Sequence, residues 1–85
     1  MDTASKLELL LNIIRELGVE VRSVTMDGEG GGLCMMKDRR VLFVDTLADT
    51  VTKYERTLEA AGELGELEDR FLPPEVREDI ERFRA

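Results

Sequence analysis

Leu33-Cys34-Met35-Met36-Lys37-Asp38-Arg39-Arg40-Val41-Leu42-Phe43-Val44-Asp45 is the stretch whose reading decides the fold. Two apolar runs, Leu33–Lys37 and Arg40–Asp45, flank a charged break, which is the pattern of a β-hairpin. Asp38-Arg39 lies near the turn. That pair lacks the Gly or Asn a tight primed turn prefers, so a wider turn is the alternative. With a two-residue turn, Cys34, Met36, Val41 and Phe43 share one face, and Leu33, Met35, Leu42 and Val44 share the other. Both faces are largely apolar, as expected of strands covered on two sides. In a simple meander Val41–Val44 forms the sheet edge, and an exposed apolar edge is a template for another strand.

Working outward, Asp27-Gly-Glu-Gly-Gly-Gly32 reads as a loop, and Val19–Met26 before it as a strand of alternating β-branched residues. At the N-terminus Ser5-Lys6-Leu7-Glu8 fits a capping box. Leu7, Leu10, Leu11, Ile14 and Leu17 follow at helical spacing, and Gly18 marks the stop. Leu9 and Ile13 widen that apolar face beyond one stripe. After the hairpin, Thr46-Leu-Ala-Asp49 resembles a second capping start. Leu47, Val51, Tyr54, Leu58 and Ala61 form its stripe, and Gly62 and Gly65 bracket its end. Leu67–Leu72 is a connector, and Pro73-Pro74 opens a last helix with Val76, Ile80 and Phe83 on its apolar side. The order predicts an α+β fold, with a three-stranded antiparallel sheet packed by an N-terminal helix and two C-terminal helices.

The 85 residues predict one domain spanning 1–85. The chain has no histidine, the usual general base near neutral pH and the commonest zinc ligand. No catalytic residue, metal ligand or cofactor is therefore expected. A net charge of −7 repels nucleic acid and anionic lipid, so neither nucleic acid nor membrane is an expected partner. The acidic N-terminus, the short apolar run Leu7–Ile14 and the lone cysteine predict a cytoplasmic protein.

Three segments invite a chemical reading. The glycine loop leads into a strand rather than a helix and carries acids, which suits a hairpin connection better than a phosphate cradle. Its acid spacing does not match a calcium loop. Cys34, among apolar strand neighbours, reads as a buried inert thiol; a reactive thiol is the alternative, and needs a nearby cation or helix N-terminus. Glu55, Glu59, Glu63 and Glu66, with Glu68 and Asp69 beyond, suit a solvated acidic face, or less simply a carboxylate site.

The run Gly30–Asp45, followed by an amphipathic helix and Phe71-Leu-Pro-Pro-Glu-Val-Arg77, resembles small uncharacterised bacterial proteins with a Gly-Gly-Leu-Cys hairpin. Their turn glycine is replaced here by Asp38 or Arg39, and the resemblance implies no activity. Val41–Asp45 and the helix holding Leu58-Glu-Ala-Ala-Gly-Glu-Leu64 also resemble the core of ImmA/IrrE-type zinc peptidases. The His-Glu-x-x-His motif is missing, so that resemblance implies a reduced, non-catalytic relative.

These readings converge on a non-catalytic interaction or self-associating module, with a homodimer or a protein partner. The expected surfaces are Leu9 and Ile13 on the first helix and Val41, Leu42, Phe43 and Val44 on the edge strand, because a chain this small cannot cover so much apolar surface. The alternatives are a thiol- or carboxylate-dependent enzyme using Cys34 or the Glu55–Glu66 group, and an acidic regulatory partner of a basic protein.

Overall fold

The structure, a computed structural model, describes residues 1–84, the side chain of Glu68 excepted. Helix α1 (Thr3–Glu16) starts one turn earlier than the capping box suggests. Asp2 is the N-cap, its carboxylate accepting the Ser5 N–H at 2.8 Å. Strands β1 (Glu20–Val24), β2 (Gly31–Met36) and β3 (Arg39–Asp45) follow. Helix α2 (Thr50–Leu64) is capped by Asp49, which accepts the Thr52 N–H at 2.8 Å. Thr46 and Leu47 therefore lie outside the helix, and Leu47 is exposed. Gly65, at φ +72°, closes α2 by donating its N–H to the Ala61 carbonyl at 3.3 Å. A 3-10 turn (Glu66–Asp69) leads to α3 (Pro74–Arg84).

The fold is α+β, and the sheet is mixed rather than strictly antiparallel. Its order is β1-β3-β2, with β3 parallel to β1 and antiparallel to β2. The expected edge strand Val41–Val44 is thus the central strand. The reason lies in its composition: Val41-Leu42-Phe43-Val44 is apolar on both faces, and a strand of that kind gains most from neighbours on both sides. The placement also accounts for the glycine loop. The chain leaving β1 must step over the end of β3, two strand spacings or about 10 Å, before β2 begins.

The hairpin turn is Lys37-Asp38, one residue earlier than expected, with φ of 49° and 68°. Left-handed values at both positions define a tight primed turn, here built without glycine. The shift leaves the face assignment intact, because pairs such as Cys34↔Val41 and Leu33↔Leu42 join residues of one face.

All three helices contribute to a core with one face of the sheet. Leu10 and Ile14 of α1, Tyr54, Leu58, Ala60 and Ala61 of α2, and Val76 and Ile80 of α3 pack with Val19, Leu42 and Val44. Val21 and Leu33 join from the flanking strands. No helix among the described residues is long and apolar enough to cross a membrane.

Candidate functional site

One face of the sheet lies beneath the helices, and the other does not. Register places Glu20, Arg22 and Val24 of β1, Arg39, Val41 and Phe43 of β3, and Gly32, Cys34 and Met36 of β2 on the second face. None of these residues belongs to the helix-packed core. Val41 is nonetheless buried by its neighbours, and Phe43 and Val24 are half-buried. Glu20 ion-pairs with Arg22 and, at 3.3 Å, with Arg39. The charges thus gather toward β1, and the apolar strip runs toward β2.

The two edges differ in the same sense. Gly31–Met36 contains neither a charge nor a proline. Met35 is 68% exposed and Met36 43%, and Cys34 is exposed. Residues flanking a two-residue turn form a hydrogen-bonded pair, so Met36, Cys34 and Gly32 turn their backbone groups toward β3. The Asp45 N–H, donating to the Gly30 carbonyl at 3.4 Å, continues that set. Gly31, Leu33 and Met35 therefore turn their N–H and C=O groups outward. A shallow groove lined by Leu33, Cys34, Met35, Arg40, Glu63 and Leu64 runs beside this edge.

Two residues hold β2 in place. A Cβ on Gly31, at φ +88°, would meet the Phe43 carbonyl oxygen at 2.1 Å, so only glycine lets the strands close there. Asp45, fully buried at the end of β3, accepts N–H groups from Met26 and Leu47 at 3.0 Å, from Gly28 at 2.5 Å and from Gly30 at 3.4 Å. Burial alone would raise this carboxyl's pKa. The four backbone donors outweigh that and hold it below the ordinary aspartate value. Asp45 is therefore a staple between the ends of β1, β3 and the loop, with no vacancy for a ligand. Sequence reasoning passed over it, although an acid ending an apolar strand beside a glycine loop is a readable signal for such a cap.

The other expected residues are dispersed. Leu9 and Ile13 are half-buried, pack against the core and line a shallow concavity with Ser5, Glu8, Asn12 and Glu16. Cys34, expected buried, is exposed on the open face. In the acidic group, Glu59 pairs with Arg56 at 3.2 Å and Glu66 with Arg40; the Glu68 side chain lies outside the described residues. Among the described residues no three acidic or cysteine side chains form a metal-binding group.

One interior polar cluster is built across the helices. Asp79 of α3 accepts from Lys6 Nζ of α1 at 3.0 Å and from the Tyr54 hydroxyl of α2 at 2.8 Å on one oxygen, and from Arg82 at 3.2 Å on the other. Lys6 also stands 5.2 Å from the Tyr54 ring centroid. Burial would raise the Asp79 carboxyl, but Lys6, the Tyr54 hydroxyl and Arg82 more than offset it and keep it below the ordinary value. Burial and the Asp79 charge both push the Tyr54 hydroxyl well up. With each oxygen occupied and the phenol held neutral, the cluster pins three helices together. Compared with known proteins, the chain matches no family model, and no curated protein or solved structure is significantly similar to it.

Proposed function

We propose that this chain is a non-catalytic binding module that engages a protein partner by strand addition along β2. The observation that carries the reading is the β2 edge itself, which presents six residues without charge or proline. Its outward backbone groups at Gly31, Leu33 and Met35 are flanked by the exposed side chains of Cys34, Met35 and Met36. Edges that a chain keeps to itself are ordinarily blunted by charges, proline or a covering element. In strand addition, main-chain hydrogen bonds supply affinity and alternate side chains supply selectivity. Here the alternate positions are Cys34 and Met36 on the open face and Leu33 and Met35 beside the groove. The interaction surface expected at Val41–Val44 thereby moves one strand outward, and the central strand becomes its support.

The test is a photoreactive amino acid placed at Met35 or, as the comparison, at Arg22 on the opposite edge, in cells expressing the chain. The expected outcome is a discrete cross-linked species from position 35 and none from position 22. Equal cross-linking at both positions, or none at 35, would overturn the reading.

A further inference from the structure

Resting on that reading, we propose that the partner at the β2 edge is a second copy of this chain, paired antiparallel about a two-fold axis through Leu33. The first argument is register. The outward-facing residues Gly31, Leu33 and Met35 are symmetric about Leu33. Antiparallel pairing of two such edges sets Leu33 against Leu33 of the second copy, and Gly31 against Met35 of the second copy, in hydrogen-bonded positions at both ends. Each exposed Met35 then lies over a glycine, and the two three-stranded sheets become one of six strands. A two-fold contact must be self-complementary in this way.

The second argument is charge. β2 runs about 20 Å from an acidic end to a basic one. Asp27 and Glu29 precede it and Lys37 follows it. Arg39 and Arg40, near the same turn, are already paired with Glu20 and Glu66. Lys37, Asp27 and Glu29 have no ion-pair partner within the chain among the described residues. In the Leu33-centred pairing the basic end of each strand, at Lys37, lies beside the acidic end of the other, at Asp27 and Glu29, twice over. Asp38 is the second turn residue, on the β3 side and away from the contact. A parallel arrangement would instead set like charge against like. The overall charge of −7 opposes association, so unpaired opposite charges at the two ends of one edge favour this geometry over the alternatives. Cys34 falls opposite Gly32 of the second copy, so the pairing needs no disulfide.

Light scattering on the full chain at low ionic strength should give twice the 9.6 kDa chain mass, with or without reductant. The amides of Leu33 and Met35 should be protected from exchange in the dimer and lose protection on dilution, whereas those of Cys34 and Met36 stay protected throughout. Lys37→Glu alone and Glu29→Lys alone should each weaken the dimer by about tenfold. An equimolar mixture of the two variants should recover it, because opposite charges then meet at both ends of the paired edges, where each variant alone sets like charge against like. The inference is overturned by a monomer at all concentrations, by a mixture no tighter than its components, by a reductant-sensitive dimer, or by Leu33 and Met35 amides that exchange freely in the dimer. A cross-link from position 35 to a different protein, with the wild type monomeric, overturns the second copy and leaves strand addition standing. Absence of any cross-link there overturns both.

Discussion

The two edges of the sheet are built from opposite materials. β1 carries Glu20 and Arg22, locked in an ion pair on the open face, and it is only five residues long. Short length and alternating charge are the usual devices that keep an edge from pairing with strangers. β2 has none of them, and it has the longer exposed apolar run. Both edges flank the same central strand, so β3 cannot be the origin of the difference. The lesson is that burial on one face says little about an edge. What distinguishes the two is whether a new strand would have to desolvate charges.

The largest effect expected is on the anchoring of β2. Gly31→Ala forces a Cβ into the Phe43 carbonyl at a left-handed φ, and should cost about 3 kcal/mol by urea unfolding. Gly32→Ala, whose Cβ would meet nothing within 4 Å, should change stability far less. Equal losses at both positions would mean that β2 is not held through Gly31.

Next in size is the staple by which Asp45 ties the end of β3 to the loop between β1 and β2. Unfolded Asp45 takes up a proton at the ordinary aspartate pKa, whereas the folded carboxyl takes one up only at lower pH. The unfolded state is thus protonated first as pH drops through that ordinary value. The stability that Asp45 contributes is complete above that value and is lost as pH falls through the folded pKa. Asp79 acts with the same sign. Asp45→Asn should remove part of this acid sensitivity and speed amide exchange at Gly28 and Gly30 even at neutral pH. Unchanged exchange at those two amides would refute the staple.

A smaller effect, opposite in direction, is expected at the hairpin tip. Asp38 sits at φ +68°, where a side chain is strained and glycine is not. Asp38→Gly should stabilise the fold by about 1 kcal/mol, raising the melting temperature by roughly 4–8 °C. A lowered melting temperature would contradict the two-residue turn.

The smallest change in stability, and the most direct assault on the comparison, is at β1. Replacing Glu20 and Arg22 together by valine removes the surface ion pairs of Glu20 with Arg22 and Arg39 and should leave the unfolding curve nearly unmoved. It should nonetheless create a second associating edge, seen as species larger than the wild type by light scattering. If that doubly substituted chain associates no more than the wild type does, charge is not what separates the edges.

Much of this was legible in the residues. The hairpin, its two faces and all three helices follow from apolar spacing, whereas the exposure of Met35 and Met36 does not, since apolar strands read as covered on both sides. Cap positions slipped by about a turn at α1 and α2, because Asp2 and Asp49 compete with nearby Ser5 and Thr46 for the same role and only the backbone path decides between them. The edge position expected of Val41–Val44 rests on a simple meander, in which neighbours in sequence are neighbours in the sheet; the sequence leaves the strand order itself open. The glycine loop here is long enough to carry the chain over β3 instead. That one exchange moved the candidate surface from Val41–Val44 to Gly31–Met36, and brought Cys34 to the surface.

By itself the sequence determined which segments are helix and strand, and which residues of the hairpin share a face, since these depend on local periodicity and turn chemistry. It also determined the exclusion of histidine chemistry, since no residue is there to supply it. Only the tertiary structure decided that β3 is central, that Asp45 ties the loop across its end, and that Lys6, Tyr54 and Asp79 meet between three helices. Those outcomes depend on contacts between residues far apart in the chain, where burial and hydrogen-bond satisfaction are settled by the whole fold at once and leave no periodic trace in any one segment.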